Sequence, residues 1–142
     1  MRTIVVGTDG SANADLAVEQ AAEIAKGSGA TVHLVTAYPD DPAFGETIAS
    51  SAKQDRVNLR EVAEGVLVRV ARGPSLEGVD VTTHASAGDP ARVILDIADE
   101  LDADLIMVGA RGLTAFERFL LGSVSSKLSH HSKRSLMIVR ED

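Results

Sequence analysis

Leu105-Ile106-Met107-Val108 runs directly into Gly109-Ala110-Arg111-Gly112, and after nine intervening residues the chain reads Gly122-Ser123-Val124-Ser125. The apolar run reads as a buried strand, and Ser126-Lys127-Leu128-Ser129-His130 reads as the start of a helix. A strand, a glycine-rich turn and a helix N-terminus are the parts of a phosphate cradle. Glycines let backbone N–H groups come close to oxygens, and the unsatisfied N–H groups of a first helical turn favour anions. From its residues alone, this stretch is a candidate nucleotide-phosphate site.

Upstream of it the same unit repeats. Gly88-Asp89-Pro90 is a helix start, with Asp89 as cap and Pro90 at the first helical position. Val93, Ile94, Ile97, Ala98 and Leu101 give that helix its apolar stripe before Asp104–Val108 forms a strand. At the other end of the chain, Thr3-Ile4-Val5-Val6 reads as a central strand, apolar throughout as burial on both faces requires. Gly7-Thr8-Asp9-Gly10-Ser11 is a turn leading to a helix, with Ser11 or Asn13 as its cap. Ala14, Ala17, Val18, Ala21, Ile24 and Ala25 carry that helix to Gly27-Ser28-Gly29. Thr31–Ala37 is a second strand, closed by Tyr38-Pro39. Residues 39–52 hold the least patterned loop. A second helix carrying Leu59, Val62, Ala63, Val66, Leu67 and Val70 is expected to begin near Thr47–Ser51 and to end at Gly73-Pro74. Val79–Ala85 reads as a third strand, polar enough for a sheet edge, and Leu136-Met137-Ile138-Val139 as a fifth.

Strands alternating with helices predict an α/β fold, a doubly wound parallel sheet with right-handed crossovers and helices on both faces. Ligands of such sheets sit at the carboxyl ends of the strands, where the strand order reverses. If strands 1 and 4 are central neighbours, the Gly7–Gly10 turn and the Gly109–Ser125 segment converge there.

Composition bounds the rest. At 142 residues, 44% hydrophobic and 25% charged, the chain is a single soluble domain. Aromatics at 3% and no tryptophan leave an aliphatic core. The absence of cysteine excludes disulfides and thiolate metal sites and fits a cytoplasmic location. A net charge of −7 argues against a general nucleic-acid binder, without forbidding one anionic ligand. Met1–Gly7 reads as a strand rather than a signal peptide, and no run approaches the ~20 apolar residues of a membrane span.

Two glycines three apart, then nine residues, then Gly-Ser, resembles the nucleotide-binding pattern of the universal stress protein family. The match is Gly109, Gly112, Gly122 and Ser123, and Ile4-Val5-Val6-Gly7-Thr8-Asp9-Gly10-Ser11 is similar to that family's opening strand and acidic turn. The resemblance implies one nucleotide-binding domain over residues 1–142, sheet order 3-2-1-4-5, a homodimer, and ATP across the switch point. By position, Asp9 resembles the family acid near the ribose and a nucleotide-bound magnesium ion, with Gly7 and Thr8 in the same turn. Ala37 falls where the family's second-strand backbone meets adenine. Val108, Gly109, Arg111, Gly112, Gly122, Ser123, Val124 and Ser125 resemble the phosphate and ribose loop. Many members carry a proline before the last strand, where this chain has Lys133-Arg134-Ser135-Leu136.

Catalytic chemistry is harder to place. The Walker pattern is absent, since Gly122-Ser123-Val124-Ser125-Ser126-Lys127 lacks its second glycine and sets lysine differently. No Ser-His-Asp set, metal pair or general base stands close to the cradle in sequence, so no residue is assigned as catalytic. His33, His84 and His130-His131 lack metal-ligand spacing and read as surface or interface residues. Leu113–Leu121, with Phe116 and Phe119, reads as a short helical flap. The sequence thus points to a regulatory, stress-response type of protein that holds ATP. The alternatives are a weak ATPase, a protein phosphorylating itself on Ser123 or Ser125, and an interaction module preferring cyclic AMP. The apolar strand within 135–140 would be a sheet edge, and such edges invite pairing between copies.

Overall fold

The computed structural model describes residues 1–40, 58–112 and 121–141. β1 (Thr3–Gly7), α1 (Ala12–Ser28), β2 (Thr31–Tyr38), α2 (Leu59–Ala71), β3 (Val81–Ala87), α3 (Pro90–Glu100), β4 (Leu105–Gly109), α4 (Ser123–His131) and β5 (Ser135–Val139) follow in that order. All strand pairs are parallel, and the sheet order is β3-β2-β1-β4-β5. The predicted α/β sandwich of order 3-2-1-4-5 is therefore the fold. Residues 113–120 of the expected flap and 41–52 of the loop lie outside the described residues.

Strand alternation splits the core in two. Ile4, Val6, Val32, Leu34, Leu105 and Met107 face α1 and α2, where Ala17, Ala21, Leu67 and Val70 meet them. Val5, Val35, Ile106 and Val108 face the other way, against Ile94 and Ala98 of α3 and Leu128 of α4. Ile4, Val5 and Val6 are 0% exposed, as a strand covered on both faces must be. α1 approaches the sheet through small residues, with Ala14, Ala17, Ala21, Ala22 and Ala25 all buried, which suits a core without bulky aromatics.

Several boundaries differ from the sequence reading, four of them for a local reason. α2 begins at Leu59, because Asn58 has extended backbone and its side chain accepts from the Glu61 N–H; the Thr47–Ser51 start lies outside the described residues. β3 starts two residues later than expected: Gly78 takes φ +82°, and the Val79 N–H closes a turn onto the Leu76 carbonyl. β4 is displaced by one residue, since the Asp104 carboxylate is taken up by the N–H groups of Arg2 and Thr3. α4 starts at Ser123 rather than Ser126, so the Gly-Ser pair is itself the helix entry.

The sheet register also alters the reading of two histidines. His33 of β2 and His84 of β3 are half-buried neighbours rather than surface residues, with His33 Nδ1 2.9 Å from His84 Nε2. Burial disfavours the imidazolium and holds both rings below the usual histidine range. For His33 the neighbouring His84 adds to this, and for His84 the charge of Glu100 partly opposes it.

Core truncation tests which strand is central. Ile106 is 0% exposed, so Ile106→Ala is expected to cost about 2–5 kcal/mol in urea unfolding, against roughly 0.5–1.5 kcal/mol for Ile106→Val.

Candidate functional site

β1 ends in a turn whose polar groups are tied down on both sides. Thr8 donates its N–H to the Val35 carbonyl at 2.9 Å, and its own carbonyl accepts from the buried Thr36 hydroxyl at 2.8 Å. The Gly10 N–H donates to Thr8 Oγ1 at 3.1 Å, and the Ser11 N–H to Asp9 Oδ1 at 2.9 Å. Ser11 then caps α1 by accepting from the Ala14 N–H. Of the two cap candidates, Ser11 does the capping, and Asn13 is left to do something else.

Asn13 fastens the β4 turn to α1. Its Oδ1 accepts the Arg111 N–H at 2.8 Å across 98 residues of sequence. A Cβ at position 109 would lie 2.6 Å from the Asn13 carbonyl oxygen, so only glycine lets β4 come this close. At position 112 a Cβ would lie 2.7 Å from Asp9 Oδ2, a side-chain atom that would have to shift. The two glycine-rich turns therefore meet at the sheet's switch point, with the Asp9 carboxylate against Gly112.

The turn is held to α4 as well. The Gly122 N–H donates to the Ala110 carbonyl at 2.7 Å, and the Ser125 hydroxyl donates to the same oxygen at 2.8 Å. Ser125 is 2% exposed, so its hydroxyl secures the cradle from inside, whereas Ser123 is exposed at the helix entry. Gly122 caps α4 with extended backbone and no side-chain hydrogen bond. Gly122 itself thus offers the first-turn N–H groups no side-chain acceptor, and an uncapped helix start of this kind favours an anion.

On the far side, Ala37, Tyr38, Pro39 and Asp40 of β2 and its continuation, with Gly88, Asp89 and Pro90, line an open pocket of about 400 Å³. The Gly88 N–H donates to the Tyr38 carbonyl at 2.9 Å and joins the two walls. Asp89 caps α3 through the Arg92 N–H and pairs with Lys127 of α4 at 3.0 Å. That lysine, then the capping N–H, holds the Asp89 carboxyl below the usual range.

These contacts close a rim around the carboxyl ends of the strands. It passes from Asp9 to Gly112, through Ala110 to Gly122 and α4, by Lys127 to Asp89, by Gly88 to Tyr38, and by Thr36 and Thr8 back to Asp9. Gly7, Thr8, Asp9, Ala37, Gly109, Arg111, Gly112, Gly122, Ser123, Val124 and Ser125 all lie on or directly beneath this rim, while Val108 is buried under it in β4. Sequence reasoning missed Asn13 as the fastener of two loops, and Thr36, Asp89 and Lys127 as rim members. Among the described residues, no group of three or more His, Cys, Asp or Glu side chains is placed to hold a metal ion. A cation at Asp9 would need most of its ligands from a bound molecule and water.

The sequence profile of the universal stress protein family matches residues 1–140. The chain is 31% identical over 140 residues to a universal stress protein of Methanocaldococcus jannaschii, covering 99% of this chain and 82% of that one. A crystal structure of a universal stress protein in complex with cAMP superposes with a TM-score of 0.70 at 31% identity, over 98% of this chain and 96% of that one. A universal stress protein from Archaeoglobus fulgidus in complex with dAMP shares the fold at TM-score 0.64 and 24% identity, over 99% and 98% of the two chains.

Two measurements test the rim as built. Gly109→Ala sets a methyl group against the Asn13 carbonyl, and the resulting overpacking should cost about 1–3 kcal/mol by urea midpoint. Asp89 contributes stability above the ordinary carboxylate pKa that is lost as pH falls through its own lowered value. Unfolding of Asp89→Asn followed from about pH 5 to pH 3 should show a flatter acid dependence than the parent chain.

Proposed function

The chain belongs to the universal stress protein family, and from that premise we propose that it is a regulatory protein holding an adenine nucleotide, ATP in the first instance, inside this rim. The observation that carries the proposal is the α4 entry. Gly122 presents first-turn N–H groups without a side-chain cap, beside two glycines that keep the backbone open. In this reading Gly109, Arg111, Gly112, Gly122, Ser123, Val124 and Ser125 receive the phosphates and ribose. Gly7, Thr8 and Asp9 close the crevice beneath them, and Asp9 faces a magnesium ion carried by the nucleotide. The base takes the pocket beside the Ala37 backbone.

Holding rather than consuming ATP suits the residues present. Among the described rim residues there is no histidine, and Asp9 and Asp89 are engaged, Asp9 by the Ser11 N–H and Asp89 by Lys127. A second reading, a module preferring cyclic AMP, is favoured by the 31%-identical family member solved with cAMP. Self-phosphorylation would fall on exposed Ser123 and not on Ser125, whose hydroxyl is buried.

Assembly belongs to the same proposal. β5 is the sheet edge next to β4, and Met137 in it is 37% exposed. Two protomers pairing through 135–140 would cover the apolar run Leu136–Val139, which carries no proline or charge. Among the described residues no helix is long and apolar enough to cross a membrane, and a cytoplasmic location is part of this reading.

Calorimetric titration with ATP, ADP, AMP and cyclic AMP tests the ligand. Saturable ATP binding is expected, abolished by Gly122→Val and weakened by Asp9→Ala most when magnesium is present; undiminished affinity in both variants would place the ligand elsewhere. ATP turnover should stay below ~1 s⁻¹, the low end of ordinary enzyme rates, and light scattering at tens of micromolar should give a dimer.

A further inference from the structure

Lys127 brings a positive charge to the rim from outside both glycine turns. It lies four residues after Ser123 on α4, so the two share a helix face. Side chains on a helix lean toward its N-terminus, which directs the Lys127 stem back toward the turn that opens at Gly122 and Ser123. Its ammonium ends 3.0 Å from Asp89 Oδ1, at the start of α3 and on the pocket wall shared with Ala37 and Gly88. A cation thus stands between that pocket and the helix entry that has no side-chain cap.

The ion pair is built to exchange. Its side chains are 54% and 47% exposed, and pairs in that setting contribute little to stability. Asp89 does not depend on the lysine for its place, because its other oxygen, Oδ2, accepts the Arg92 N–H and caps α3. Moving the ammonium from Asp89 to another anion within reach therefore gives up one contact and leaves both helix starts as they are.

We propose that Lys127 selects nucleotides by the length of their phosphate chain, exchanging its Asp89 partner for the phosphates of a bound nucleotide. This selection rests on the nucleotide reading above and adds to it a residue outside the glycine turns. Lysine is a point charge with three donors on a flexible stem, so it can follow a phosphate chain without a fixed geometry. Asp89 is the built-in competitor, one carboxylate charge holding the ammonium back. A singly charged phosphodiester such as cyclic AMP only matches that charge and gains little from the exchange. A terminal phosphate carries about −1.5 to −2 at pH 7, and a triphosphate adds further charge along its length, so ATP gains most.

The test is calorimetric titration of the parent, Lys127→Gln, Lys127→Arg, Asp89→Asn and doubly substituted K127Q/D89N chains with ATP, AMP and cyclic AMP. Lys127→Gln is expected to lower ATP affinity about tenfold and cyclic AMP affinity less than about threefold, with AMP between them and with Lys127→Arg restoring most of the loss for ATP. Asparagine caps helices as well as aspartate does, so Asp89→Asn removes the competing charge and keeps the cap. It should raise ATP affinity about threefold in the parent chain and leave it unchanged in the K127Q background. Equal losses for ATP and cyclic AMP, unchanged ATP affinity in Lys127→Gln, or the same gain from Asp89→Asn in both backgrounds would overturn the role of Lys127 while leaving the nucleotide reading standing. A parent chain that binds none of the three ligands overturns that reading and the selection with it. Should the variants fail to fold, the parent chain still decides: the Lys127 side-chain NMR resonances should shift with ATP and stay in place with cyclic AMP, and no shift with ATP overturns the exchange.

Discussion

Parallel pairing of β1 with β4 joins segments a hundred residues apart, Ile4 opposite Leu105 and Val6 opposite Met107. Closing a loop of that length costs entropy before any contact repays it, although the cost grows only logarithmically with length. Repayment comes from three sources at the seam. Ile4, Val5, Val6, Ile106 and Met107 are wholly buried there. The Asp104 carboxylate binds the Arg2 and Thr3 N–H groups below the seam, and Asn13 binds the Arg111 N–H above it. With β2 on its other side, β1 becomes the strand from which successive connections leave toward opposite faces. The crevice is the gap left by that divergence.

Whether the gap becomes a usable site depends on how closely backbones approach around it. α1 sits low on the sheet because its buried face is alanine apart from Val18, which brings Asn13 within reach of the β4 turn. Gly109 and Gly112 then remove the side chains that would collide with Asn13 and Asp9. Thr8, Thr36 and Ser125, the buried polar residues beneath the rim, spend their hydroxyls on backbone partners. Among the described residues no buried side-chain polar atom lacks a partner. Such a crevice is ordered before a ligand enters, so less ordering entropy opposes binding.

The legible part of this molecule was what depends on local pattern. Alternating apolar runs and glycine stops gave the elements, and the Asp89-Pro90 helix start and the convergence of the two glycine turns followed from the chain order. The starts of β3, β4 and α4 shifted by one to three residues, β4 where the Asp104 carboxylate takes up the Arg2 and Thr3 N–H groups and α4 where Gly122 is itself the helix cap. Pairing across the sheet was the illegible part. His33 and His84 are 51 residues apart and meet only because β2 and β3 align Val35 with His84. Asn13 looked like a helix cap because capping and cross-loop bonding use the same side-chain oxygen. Lys127 gave no signal either, since its partner Asp89 caps a helix 38 residues earlier.

A chain of net charge −7 with a proposed anion site poses a conflict only if charge is averaged over the surface. At physiological salt, fields from carboxylates beyond about 8 Å are largely screened, whereas contact donors act unscreened at hydrogen-bond distance. The N-termini of α1, α3 and α4 all open at the crevice end of the sheet, each with the partial positive charge of a helix start. Two of them are already neutralised: Ser11 accepts from α1, and Asp89 from α3. α4 alone among the three has no side-chain cap. The polarity needed for an anion is therefore concentrated at Gly122 to Ser125, and the acidic surface elsewhere is no obstacle to it.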